Sequence, residues 1–201
     1  VIIFTPMKLN SVSIINYKNI DDLKLDFDSK INCFIGNNGV GKSNLLDSIY
    51  HLCLGKSYFN NNVSQNIQFN KDFYIIQGNF YLNSRIEKIN CSYKKGKKKI
   101  LKRNNKAYKK FSDHIGLLPL VIISPSDRDL ISEGSTIRRK FVDSIIGQIN
   151  KHYLVNIINY NKLIIQRNAL LKYFSTNMTF NLETLSIYNE QIEFLGKKIY
   201  L

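Results

Sequence analysis

Gly36-Asn37-Asn38-Gly39-Val40-Gly41-Lys42-Ser43 is the stretch on which the reading of the chain turns. It fills the pattern G-x-x-x-x-G-K-[ST]. Glycines at its ends let the backbone curl so that consecutive N–H groups point at one anion. A helix starting at Lys42 aims its positive end at the same place. In this chemistry the lysine reaches the β- and γ-phosphates of a nucleotide and the serine hydroxyl ligates Mg²⁺. The flanks agree with the motif. Ile31-Asn32-Cys33-Phe34-Ile35 is a short, mostly apolar run ending at Gly36, which predicts a buried strand. Leu45, Leu46, Ile49, Leu52 and Cys53 recur at helical spacing over Lys42 to Leu54, with Gly55 as the stop. The expected site is therefore Gly36, Asn37, Asn38, Gly39, Val40, Gly41, Lys42, Ser43 and Asn44, with ATP and Mg²⁺ as cofactors. Lys42 stabilises phosphoryl charge and Ser43 holds the metal.

Outward from the loop, alternation predicts strands at Leu9–Ile15 and Leu23–Phe27. Phe73–Leu82 and Arg85–Tyr93 read as a hairpin turning at Asn83-Ser84. Ile100-Leu101 suggests a third short strand, and residues 57–71 a polar loop. Leu117–Ile123 reads as another buried strand, closed by Ser124-Pro125. Beyond it the pattern becomes helical. Gly134 to Ile149 carries Ser135 as a candidate cap. Tyr153, Ile157, Tyr160, Ile164 and Leu171 form one stripe of a long helix, and Ser186–Tyr200 is a further helix. The sharpest boundary falls near residue 132. Met7 reads as the natural start, leaving residues 1–6 as an upstream extension.

Composition excludes some classes and favours others. With 44% hydrophobic residues, 12 Tyr and 12 Phe among 201 residues, the chain can bury a core and is not of disordered composition. Cys33, Cys53 and Cys91 are widely spaced, which argues against a metal site or disulfide framework and for reduced thiols, as in a cytoplasmic protein. No apolar run is long enough to span a membrane. Lys+Arg number 29 against 15 Asp+Glu, a net charge of +14 that favours a polyanionic partner. Much of that charge crowds one stretch from Lys94 to Lys110, interleaved by Tyr93, Tyr108 and Phe111. Lys97, Lys98, Lys99, Lys102 and Arg103 are its candidate DNA contacts, working through backbone phosphates. A merely solvated hairpin explains the run equally well.

Several blocks carry a family resemblance. The loop and its continuation Asn44-Leu45-Leu46-Asp47-Ser48-Ile49 resemble the RecF family's version of this motif, with Asp47 where that family has Glu. Tyr17-Lys18-Asn19 resembles the aromatic–basic–Asn segment that precedes the loop in RecF, SMC and related ABC-type ATPases. Ile123-Ser124-Pro125-Ser126-Asp127-Arg128-Asp129-Leu130-Ile131, Arg138-Arg139-Lys140-Phe141-Val142-Asp143 and Tyr160 with Gln166-Arg167-Asn168 and Leu170-Leu171-Lys172 follow in the family's order. The resemblance spans roughly residues 7–200. It implies an α/β fold: an ABC-type P-loop ATPase lobe, β-rich and incomplete at its C-terminal end (7–131), with an inserted all-helical domain (132–201).

The resemblance also implies function. It places Lys18 near the nucleotide. It implies an ATP-dependent DNA-binding protein of recombinational repair and replication restart (gap repair, SOS response), acting on single-stranded or duplex DNA at gap junctions. An ATP-dependent homodimer and RecO- and RecR-type mediator partners are further expectations. The acidic strand and signature segment of such ATPases are not found before Leu201. The chain is thus expected to be an amino-terminal part, able to bind nucleotide but not to hydrolyse it. Two alternatives remain open: another SMC-like or overcoming-lysogenisation-defect-type ATPase, and a self-contained small P-loop kinase.

Overall fold

The computed structural model describes residues 7–128 and 134–200. The extension expected at 1–6, the boundary near 132 and the Asp129-Leu130-Ile131 end of the second block lie outside the described residues. The chain divides into two compact units, one running to Ile122 and the other from Ile123.

The first unit is built on a six-stranded sheet in the order β2-β1-β3-β4-β5-β6, every neighbouring pair antiparallel. The strands are β1 Met7–Tyr17, β2 Ile20–Asp26, β3 Phe73–Leu82, β4 Arg85–Lys94, β5 Ile100–Arg103 and β6 Lys106–Ala107. Asn83 and Ser84 both take positive φ (50° and 62°) at the β3–β4 turn, the backbone that matches strand twist in a two-residue hairpin. One face of the sheet is the core. The register aligns Ile14, Ile76, Cys91 and Leu101 across β1, β3, β4 and β5, and all four are buried.

Helix α1, Lys42–Leu54, lies on that face. It ends where the sequence predicts: Gly55 takes φ +68° and its N–H returns to the His51 carbonyl. Helix and sheet come close together at Gly78. A Cβ there would stand 2.9 Å from Leu52 Cδ1, so the missing side chain is what lets α1 sit so low.

Two expectations fail. Ile31–Ile35 and Leu117–Ile123 are not strands, and their side chains are not uniformly buried. Ile35 is 96% and Ile123 85% exposed, although Leu118 is fully buried. Composition alone does not make a strand, because its N–H and C=O groups need a neighbouring backbone. Among the described residues the sheet consists of β1–β6, and neither segment joins it. Phe34 still packs edge-on against Phe27, with ring centroids 6.1 Å apart.

The second unit is helical: α2 Ser135–Ile149, α3 Lys151–Asn177 and α4 Leu182–Tyr200. Gly134, not Ser135, is the residue before α2, and no side chain caps that end. Asn150 closes α2 and opens α3, accepting from the Tyr153 N–H. Gln166-Arg167-Asn168 acts here as a packing contact: Arg167 Nε donates to Asn189 Oδ1 of α4 at 2.7 Å. Among the described residues no helix is long and apolar enough to cross a membrane.

Candidate phosphate site

The loop from Gly36 to Val40 is exposed and Gly41 is half-buried at the N-terminal end of α1. Gly39 and Gly41 take φ +83° and +112°, conformations that side chains with a Cβ adopt only under strain. Gly41 also has no room to spare, since a Cβ there would meet Asn19 Oδ1 at 3.0 Å. Lys42 Nζ donates to the carbonyls of Gly36 (2.7 Å) and Asn37 (2.8 Å), which holds the ammonium across the loop. Asn38, Gly39, Gly41, Lys42, Ser43 and Asn44 line a concavity of about 200 Å³. Unbonded helix N–H groups, the helix dipole and one ammonium converge there, the combination that binds phosphate. Ser43 is exposed at this mouth. A second cavity of about 470 Å³ adjoins it, bounded by Asn19, Asp22, Phe34, Val40 and Lys42 among others.

Beneath the loop, the buried side of α1 carries a polar cluster. The Asp47 carboxylate is fully buried. Its Oδ2 accepts from Tyr17 Oη (2.7 Å), Ser57 Oγ (2.6 Å) and Lys18 Nζ (2.6 Å), and its Oδ1 from the Tyr58 N–H (2.6 Å). Burial works against its charge, but the bonds from Lys18, Ser57 and Tyr17 outweigh it and hold the carboxyl below the usual range. Burial first, and then the same carboxylate, pushes the Tyr17 phenol far up. His51, one turn further on, lies between Tyr17 Oη (3.2 Å from Nδ1) and Tyr74 Oη (3.4 Å from Nε2). Burial first, then Lys99, lowers its pKa to about 3, so it is neutral. Tyr17 spends its proton on Asp47, so His51 Nδ1 carries the hydrogen and Nε2 accepts from Tyr74.

Lys18 thus sits in the β1–β2 turn with its ammonium on Asp47 and 5.4 Å from the Phe59 ring centroid, not on the loop. The neighbour that does touch the loop is Asn19, whose Nδ2 donates to the Gly39 carbonyl at 2.6 Å. Sequence reasoning missed Asn19, Asp47 and His51 as parts of the site. The available signal was polar: Asp47 and His51 stand four apart on the apolar side of an otherwise ordinary amphipathic helix, where an acid and a histidine need partners.

The basic stretch is not uniform. Lys97 and Lys98 are exposed in the β4–β5 turn, and Lys102 is half-buried on β5. Lys99 points inward: its ammonium donates to the Gly55 carbonyl just past α1 and lies 5.1 Å from the Phe111 ring centroid. Burial lowers its pKa. Arg103 makes a two-pronged pair with Glu87, 2.8 Å on each bond, and Asn104 adds a third bond at 2.7 Å. That pairing holds the Glu87 carboxyl below its ordinary range.

The family model described as "AAA ATPase domain" matches residues 7–200. The "DNA replication and repair protein RecF" of Flavobacterium johnsoniae is 60% identical over 96% of this chain and 54% of its own length. Among solved structures, the recombination mediator protein RecF-ATP of the RecFOR pathway superposes with TM-score 0.91 at 31% identity, over 98% of this chain and 52% of that one. A structure from work on SMC ATPases matches at TM-score 0.57 and 15% identity, over 69% of this chain and 99% of that one, a likeness of fold alone. The chain spans about half the length of the curated relatives it matches. The architecture is the RecF- and SMC-head-like ABC ATPase fold. The chain belongs to the AAA ATPase domain family, and within it the proteins it resembles are the RecF proteins.

Proposed function

We propose that this chain binds the triphosphate of ATP at Gly36–Ser43, as part of a RecF-like ATPase of recombinational DNA repair and replication restart. One observation carries the reading: an exposed glycine loop opens a helix whose first residue, Lys42, already spans it. The amides of residues 37–43 cradle the phosphates, and the Lys42 ammonium exchanges its two carbonyls for phosphate oxygens. Ser43 is the residue that would hold Mg²⁺, which offsets phosphate charge when bound.

Asp47 takes no part in holding that metal, because Lys18, Tyr17 and Ser57 occupy its carboxylate. Any acidic group that serves hydrolysis is therefore a carboxylate other than Asp47. Residues 7–131 serve as the nucleotide lobe and 132–201 as a helical domain. The names of the relatives support a role on DNA, and the structure of an ATP-bound relative supports the cofactor. A cytoplasmic, ATP-dependent homodimer working on gapped DNA with RecO- and RecR-type partners, and a link to the SOS response, complete the proposal. Lys97, Lys98 and Lys102 are its DNA-facing residues, with Lys99 and Arg103 contributing from within the fold; Lys18 serves the nucleotide side by holding Asp47 beneath the loop.

The test is a titration of the chain with a fluorescent ATP analogue and Mg²⁺. Lys42→Ala is expected to lower affinity about 100-fold, as befits loss of a charge-assisted contact, with an unchanged melting temperature. Equal affinity of the two proteins would refute the site.

A further inference from the structure

The Asn19 amide is committed on both sides. Its Nδ2 donates to the Gly39 carbonyl (2.6 Å) and its Oδ1 accepts from Asn44 Nδ2 (2.7 Å). Those two bonds fix which way the amide faces. Asn19 is itself exposed, so it adds little to the core.

Its position is set from behind. Lys18 takes φ +53°, its N–H donates to the Asn66 carbonyl at 2.9 Å, and its ammonium lies on Asp47. Asn44 and Asp47 are three residues apart on one face of α1, and each clips a neighbouring residue of the same turn. The β1–β2 turn is therefore fastened twice to the helix that carries the loop.

The consequence falls on the loop backbone. Two of its glycines have positive φ, and such a segment has many conformations to lose when it closes on an anion. In a trans peptide the C=O and N–H point in opposite directions. Tying the Gly39 oxygen outward to Asn19 turns the Val40 N–H inward, where it reaches across the loop to the Asn37 carbonyl at 3.5 Å. Asn44, the other partner, lines the small concavity beside Ser43.

We infer that Asn19 is a positioning residue of the phosphate site: by holding the Gly39 carbonyl and the Asn44 amide it presets the loop for a polyphosphate. This rests on the nucleotide reading above. Asn19 touches no phosphate and acts through the backbone it orients.

The experiment compares the wild-type chain with Asn19→Leu, Asn19→Asp and Asn44→Leu, titrating fluorescent ATP and AMP analogues and recording thermal melts. Asn19→Leu keeps the branched outline of the side chain and removes both bonds. It is expected to lower affinity for the ATP analogue about tenfold, the size of one lost hydrogen bond to a binding element. The melting temperature should move by no more than about 2 °C. Asn19→Asp should lose at least as much, because a carboxylate faces the Gly39 oxygen. Asn44→Leu should lose less, about threefold, since the Gly39 bond survives. Binding of the AMP analogue should barely change, as the loop serves the distal phosphates. A wild-type chain that binds neither analogue overturns the nucleotide reading and this inference with it. A wild type that binds, beside an Asn19→Leu variant of equal affinity, overturns the inference alone. So does a loss confined to Asn19→Asp, which would be charge repulsion, or a lowered melting temperature with affinity intact.

Discussion

Two lysine-bearing regions of the first unit look alike in composition and differ in structure. Around the start of α1, both lysines have assigned places: Lys18 on Asp47, Lys42 across the loop carbonyls. Between Lys94 and Lys110 the charges are denser, yet the structure uses them unevenly. Lys99 and Arg103 are built into the fold, while Lys97 and Lys98 face solvent. A cation does different work according to the backbone beneath it. A turn or a helix start gives it one address, whereas a hairpin rim gives it a surface.

The sharpest way to break this comparison is Lys18→Met. It strands the buried Asp47 carboxylate, and stability should fall by about 3 kcal/mol in a urea melt. A fall under about 1 kcal/mol, the worth of an exposed pair, would put Lys18 in the same class as the hairpin lysines. His51 tests the same buried cluster through pH. Its pKa is about 3 in the fold against an ordinary value near 6.5, so the unfolded chain takes up a proton that the folded chain refuses. Its contribution is therefore present above about pH 6.5 and is lost as pH falls, by up to about 1.4 kcal/mol per pH unit. Comparing His51→Gln with wild type between pH 6.5 and 4.5 should show a shallower decline in the variant. Parallel curves would mean that the native cluster accepts the proton.

In the basic stretch the effects should be smaller and split. Arg103→Ala leaves Glu87 with Asn104, and is expected to cost about 1 kcal/mol because the pair is partly solvated. The double change Lys97→Glu and Lys98→Glu should alter stability by less than about 0.5 kcal/mol. It should weaken duplex binding at low salt and flatten its salt dependence by roughly two phosphate contacts. Unchanged affinity in that variant would leave the turn as a solvated rim.

What was legible in the sequence was local. Helix α1 spans Lys42–Leu54 with Gly55 as its stop, and β3 spans Phe73–Leu82, both as the periodicity predicts. The glycine loop and its lysine were readable because the motif encodes backbone geometry. Ile31–Ile35 and Leu117–Ile123 were misread because a strand is a relation between two segments, and an apolar run reports only one of them. The Lys18–Asp47 pair and the Arg103–Glu87 pair escaped for a related reason. Their partners lie 29 and 16 positions away, and only the sheet register and the helix docking bring them together.

Gly78 gives α1 the mechanics of a lever. Leu52 rests on that glycine, and Lys42 lies ten residues away, about 15 Å along a helix. With the fulcrum at one end and the glycine loop at the other, a tilt of about four degrees at Leu52 displaces the loop by about 1 Å. The height of the sheet under a single hydrogen atom thus sets the aim of a site that Gly78 never touches.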